Sequence, residues 1–153
     1  MPLPQFYRII PVNNTGQTLT YDNNGRINVK ITGVKWNPST GVWDYANLGD
    51  DDCGFGAGDS TTDAGEDLSS EIDNTTNKYD HLHVQLEITH DEGTAADGPY
   101  DVYLDGGDAA GELSSDASGY AGAEANGLRF VGSLTWESNG LDDEVMRSEV
   151  IVV

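Results

Sequence analysis

The chain has 153 residues, of which 27 are Asp or Glu and only 7 are Lys or Arg, a formal net charge of -20. That length suits one domain with its own core, because a chain of about 150 residues buries roughly 68–70% of its unfolded surface. The sign of the charge argues against phosphate backbones and anionic membranes as partners.

Of the acids, 18 are Asp and 9 are Glu, and lysine stands only at Lys30, Lys35 and Lys78. Short hydrated carboxylates with few lysines are the composition of proteins that live in concentrated salt, where screening relieves self-repulsion. Cys53 is the single cysteine, so no internal disulfide is expected. Met1–Gln5 carries no basic region followed by an apolar run, as a signal peptide would. No apolar stretch approaches the ~20 residues of a membrane helix, so a soluble chain is expected.

In chain order, the proline-punctuated residues 1–11 carry Phe6, Tyr7, Ile9 and Ile10 and read either as an arm docking on a neighbour or as a first strand. Gln17–Tyr21 and Arg26–Lys35 flank Asn24-Gly25, a strong hairpin signal because both turn residues tolerate positive φ. Ile27, Val29 and Ile31 fall on one face of the second segment, the period-2 mark of a half-buried strand. Asn37–Gly41 is the next turn and leads into Val42–Tyr45. From Asp44 to Asp80 the alternation dissolves into Asp, Gly, Ser and Thr, which reads as one long acidic loop with a helical turn over Glu66–Ile72.

His81–Thr89 is the cleanest strand, with Leu82, Val84, Leu86 and Ile88 on its buried side. Pro99–Asp105 follows, and a Gly/Asp/Ala/Ser tract runs from Gly106 to Gly127. Leu128–Glu137 reads as a strand with Leu128, Phe130, Leu134 and Trp136 in phase, and Glu144–Val153 closes the chain as another. Many short strands without a 3.6-residue period predict an all-β domain, an antiparallel β-sandwich or jelly roll with two long Asp/Gly-rich loops.

Three constellations carry chemistry. His81, His83 and Glu87 share the polar side of one strand, and their spacing resembles the first metal motif of the cupins, which would make them ligands in a cupin-like metal protein. No histidine follows His90, so that family's second-motif ligand has no counterpart. Asp50, Asp51 and Asp52, with Asp105 and Asp108, are oxygen-rich loop positions suited to calcium, although no EF-hand pattern is present. Trp36 and Trp43 flank a turn, near Tyr45, and form a candidate platform for a sugar ring, whereas Trp136 is in phase with core residues. No nucleophile elbow, phosphate loop or dinucleotide fingerprint occurs, and the chain reads as non-enzymatic.

Val84–Thr89, Pro99–Leu104, Phe130–Thr135 and Arg147–Val153, in this order and with small-residue loops between them, resemble the small β-sandwich virion proteins of tailed phages and archaeal viruses. The resemblance implies a multi-copy structural protein of the virion: a capsid decoration, a turret, or a head–tail or tail component. It would assemble with other virion proteins or with copies of itself, without nucleic acid, membrane or cofactor. A calcium- or carbohydrate-binding β-sandwich module is the alternative reading.

Overall fold

The computed structural model describes residues 3–16, 18–20, 26–51, 60–61, 68–90, 97–110, 113, 128–137 and 144–153. All regular elements among them are strands, and they build two main antiparallel sheets and one two-stranded ribbon. Sheet 1 contains β1 (Phe6–Asn13), β6 (Ile72–Asp73), β8 (Asp97–Gly107) and β9 (Arg129–Glu137) in the order β6-β1-β8-β9. Sheet 2 contains β3 (Arg26–Asn37), β4 (Val42–Asp51), β7 (His81–His90) and β10 (Glu144–Arg147) in the order β10-β7-β3-β4, with β11 (Ile151–Val152) pairing further along β7. A separate ribbon joins β2 (Leu19–Thr20) to β5 (Ser60–Thr61).

One core lies between the sheets, as the sandwich reading requires. Sheet 1 contributes Tyr7, Ile9, Tyr100, Val102, Leu104 and Leu134; sheet 2 contributes Val29, Ile31, Leu82, Val84, Leu86 and Ile88. The β7 column is the clearest product of period 2: Leu82, Val84, Leu86 and Ile88 are all fully buried. The outer side of sheet 1 is covered as well. Ile10 and Val12 pack there with Leu128, against Leu68 and Tyr103, so the ends of both Asp/Gly-rich tracts supply leucines to a roof.

Several expectations are corrected. Of the two readings of residues 1–11, arm or first strand, the structure has the strand: β1 lies between β6 and β8, with Tyr7 and Ile9 fully buried. Its apolar residues fill both parities because both of its faces are covered. Pro11 is tolerated inside it for a geometric reason. Ile9 exchanges its backbone bonds with Ser69, so Pro11, two residues on, turns its missing N–H to the same side, beyond the last pair of that edge among the described residues.

The hairpin expected between Gln17–Tyr21 and Arg26–Lys35 is not seen among the described residues: β3 pairs with β7 over Arg26–Val34 and with β4 over Val29–Asn37, and β2 pairs with β5; Gln17 and Tyr21–Gly25 lie outside the described residues. The acidic stretch read as a loop from Asp44 is strand as far as Asp51, because ladder bonds to β3 need no hydrophobic alternation. Leu68–Glu71 is not helical and docks along β1.

The two outermost long strands, β4 and β9, each carry a bulge. Ile31 pairs with Gly49 and Thr32 with Asn47, leaving Leu48 extra; the Asn47 Oδ1 accepts from the Gly49 N–H at 2.9 Å, and Gly49 takes a φ of 126° open to glycine. On β9, Val102 pairs with Gly132 and Tyr103 with Phe130, leaving Val131 extra. This slip flips the phase, so Phe130 is 48% exposed beside Tyr103 while Leu134 is in the core. Bulged edges twist away from further strand pairing.

The other two edges share a second device. Ser69 donates its N–H to the Ile9 carbonyl at 3.0 Å, and its Oγ accepts the Ile9 N–H at 2.9 Å. Ser148 donates its N–H to the Leu86 carbonyl at 2.9 Å, and its Oγ accepts the Leu86 N–H at 2.9 Å. A hydroxyl thus replaces a ladder carbonyl where the edge strand breaks, between β10 and β11 in the second case. Removing it leaves a buried N–H unsatisfied, so Ser69→Ala and Ser148→Ala are each expected to lower unfolding free energy by about 1–3 kcal/mol. Exposed Ser39→Ala is expected to stay within about 0.5 kcal/mol. Denaturant midpoints check all three.

Candidate binding face

The strand parity that buries Leu82 to Ile88 turns His81, His83, Gln85 and Glu87 to the outer side of sheet 2. Register brings β3 alongside: Val34 pairs with His81, Thr32 with His83, Lys30 with Gln85 and Asn28 with Glu87. Beyond it, Trp36 pairs with Trp43, Val34 with Tyr45 and Thr32 with Asn47. Asn28 and Glu87 are buried at one end of this side, whereas toward Trp36 and Trp43 nothing among the described residues roofs it as the leucines roof sheet 1.

The rings run in a row across three strands. Trp36 and Trp43 meet at 5.3 Å and 66°, Trp43 and His81 at 5.1 Å and 71°, His81 and His83 at 5.5 Å, and His83 and Tyr45 at 5.9 Å. Such tilted and edge-on contacts suit the ring quadrupole. The row stays open to solvent, with Trp36 42%, Trp43 44% and Tyr45 62% exposed. Val150 and Val152, beside β7, are 54% and 63% exposed, and Val152 pairs with His83.

The row ends in a groove at His83. Lys30, Thr32, Asn47, His83, Gln85 and Val150 line a cavity of about 370 Å³ there. At the far end of the same face Glu87, 5% exposed, accepts hydrogen bonds from Lys30 Nζ at 3.1 Å and from Arg147 Nε. Burial alone would raise this carboxyl, but the hydrogen bonds and charges of Lys30 and Arg147 outweigh it and hold the group below the ordinary glutamate range. A second cavity, about 480 Å³, lies between Leu3–Gln5 and Asn74–Asp80, with Tyr79 over Gly33 at its back.

The positions singled out from sequence divide cleanly. His81, His83 and Glu87 do share one face, yet the Glu87 carboxylate is occupied by two cations. Among the described residues no three His, Cys, Asp or Glu side chains are grouped to hold a metal ion. Asp50 and Asp51 end β4 in sheet 2, whereas Asp105 lies on β8 and exposed Asp108 just beyond it in sheet 1. Asp52 and Cys53, with the side chains of Asp50, Asp51 and Trp136, lie outside the described residues. Trp36 and Trp43 are an exposed ring pair, as their flanking of a turn predicts. Thr32, Asn47, Gln85 and Val150 were not anticipated, because only the strand order brings them together.

No family model, curated protein or solved structure matches the chain.

The Glu87 pairing fixes a pH response. A carboxyl held low in the fold contributes stability above its unfolded value of about 4.3, and loses it as pH falls through the lower folded value. Glu87→Gln is therefore expected to cost about 1–2 kcal/mol at pH 7, between an exposed and a buried ion pair. The gap between variant and wild type should narrow below about pH 4, where protonation removes the same charge. Thermal midpoints from pH 7 to pH 3 check this; a gap constant across that range would remove the assignment.

Proposed function

We propose that the protein is a non-enzymatic structural component of a tailed-virus particle, a capsid decoration, turret, or head–tail or tail protein. It is held in the particle through surfaces of the sandwich and works by presenting the outer side of sheet 2. The observation that carries this reading is the asymmetry of the two outer faces. Leu68 and Leu128 pack over one, where Phe130 is the exposed large apolar side chain among the described residues, while the other leaves Trp36, Trp43, Tyr45, Val150 and Val152 in solvent on a chain of charge -20. A contiguous exposed apolar patch on a polar protein marks an interaction surface.

Two further features support it. The four stretches that resemble small virion sandwiches fall on β7, β8, β9 and β10–β11, the strands that span both sheets. Bulges on β4 and β9 discourage edge-to-edge growth, so contacts with copies of itself or with other virion proteins are made by faces and loops. The acidic surface suits a particle stable in salt and offers nothing to packaged nucleic acid.

Light scattering behind a sizing column, in low salt and in molar salt, each with and without EDTA, tests the proposal. A defined trimer, pentamer or hexamer that survives both treatments is the expected result. A monomer at every concentration and salt would overturn it, and a monomer that loosens only on EDTA treatment would move the assignment to a calcium-dependent binding module.

A further inference from the structure

The outer face of sheet 2 combines two features that a simple subunit contact does not need. The first is a row of exposed rings that is not flat. Successive rings are inclined by 66°, 71°, 46° and 51°, giving a corrugated surface. A planar aromatic ligand finds no continuous platform on it, whereas a sugar ring needs only the exposed face of a single indole or phenol for its C–H groups, and the row offers several such faces at different inclinations. The second is the adjoining groove, in which an imidazole, an amide pair, a hydroxyl and an ammonium group converge beside one valine. Its volume of about 370 Å³ lies within the roughly 300–1,000 Å³ of small-molecule sites, too small for a protein segment with secondary structure.

Charge selects among sugars. None of the lining residues is acidic, on a chain of net charge -20. The one lining cation, Lys30, is paired with Glu87. Glu87 is shared with Arg147, so the groove adjoins a cluster of two cations and one anion, set in the negative field of the whole chain, and that long-range field repels sialylated, sulfated or uronate chains. We infer that this face binds a neutral oligosaccharide, with sugar rings against Trp36, Trp43 and Tyr45 and hydroxyls bonded to Asn47, Gln85, Thr32 and His83. This rests on the reading of the protein as one that presents sheet 2: the glycan is what the presented face meets, on a cell surface or a polysaccharide coat.

Calorimetric titration of the intact protein at about 0.1 M salt, where the chain's field still reaches roughly 10 Å, with neutral oligosaccharides of glucose, galactose, mannose and N-acetylglucosamine, is the test; oligogalacturonate serves as the anionic comparator. Saturable binding of at least one neutral sugar is expected, with no heat from oligogalacturonate. Trp43→Ala and Asn47→Ala should each weaken binding about tenfold, an amount worth about 1.4 kcal/mol. Phe130→Ala, which removes the exposed ring on the other sheet, should leave binding unchanged, and none of the three should alter the oligomer. No saturable binding across the neutral panel, or equal binding by Trp43→Ala, would overturn the inference while an intact oligomer would leave the structural role standing. If Trp43→Ala instead splits the oligomer, the ring face is a contact between copies and the glycan site is wrong.

Discussion

Alternation along β7 places four fully buried aliphatic side chains on one side and His81, His83, Gln85 and Glu87 on the other, and the period of two forbids moving one set without the other. Both long sides of this strand are hydrogen-bonded, to β3 on one side and to β10, Ser148 and β11 on the other. Register is thereby fixed twice: by burial of Leu82 to Ile88, and by the ladder. The ring row and its groove inherit that register, since every residue in them stands on β7, on a strand bonded to it directly, on β4 one strand further out, or at Val150 between β10 and β11.

The same economy governs charge. With 27 acids against 7 bases, most carboxylates have no basic side chain to pair with. Yet two of those bases, Lys30 and Arg147, converge on the one carboxylate that lies 5% exposed in sheet 2. An unpaired anion at that position would face both the desolvation cost and the field of the rest of the chain. The pairing fixes the outer face at the β10 end and ties Lys30, which also lines the His83 groove, to the buried carboxylate. Stability and recognition thus share one lysine.

Much of the sandwich was legible in the sequence, because period-2 burial is a local signal. The β7 column, the strands around Val29, Tyr100 and Leu134, and the exposed Trp36–Trp43 pair all follow from alternation or from turn residues. What escaped depends on partners distant in sequence. Residues 1–11 read equally as an arm or as a first strand, and only the leucine roof explains why both parities of β1 are apolar. Phe130 looks like core because a bulge at Val131 is invisible to counting. Ser69 and Ser148 look like ordinary polar positions, although each hydroxyl replaces a ladder carbonyl. Within the site, the rings were visible one by one, but Asn47, Thr32 and Gln85 join them only once β4, β3 and β7 lie side by side.

The account turns on the outer face of sheet 2 being bare in the free protein and covered when the protein is at work. Residue-resolved hydroxyl-radical footprinting, read by mass spectrometry on the free chain and again on the chain engaged with its partner, measures this directly. The account predicts rapid oxidation of Trp36, Trp43 and Tyr45 in the free protein, slow oxidation of buried Tyr7 and Tyr100 throughout, and protection of the three surface rings on engagement. Rings already protected in the free chain, or equally reactive in both states, would contradict it.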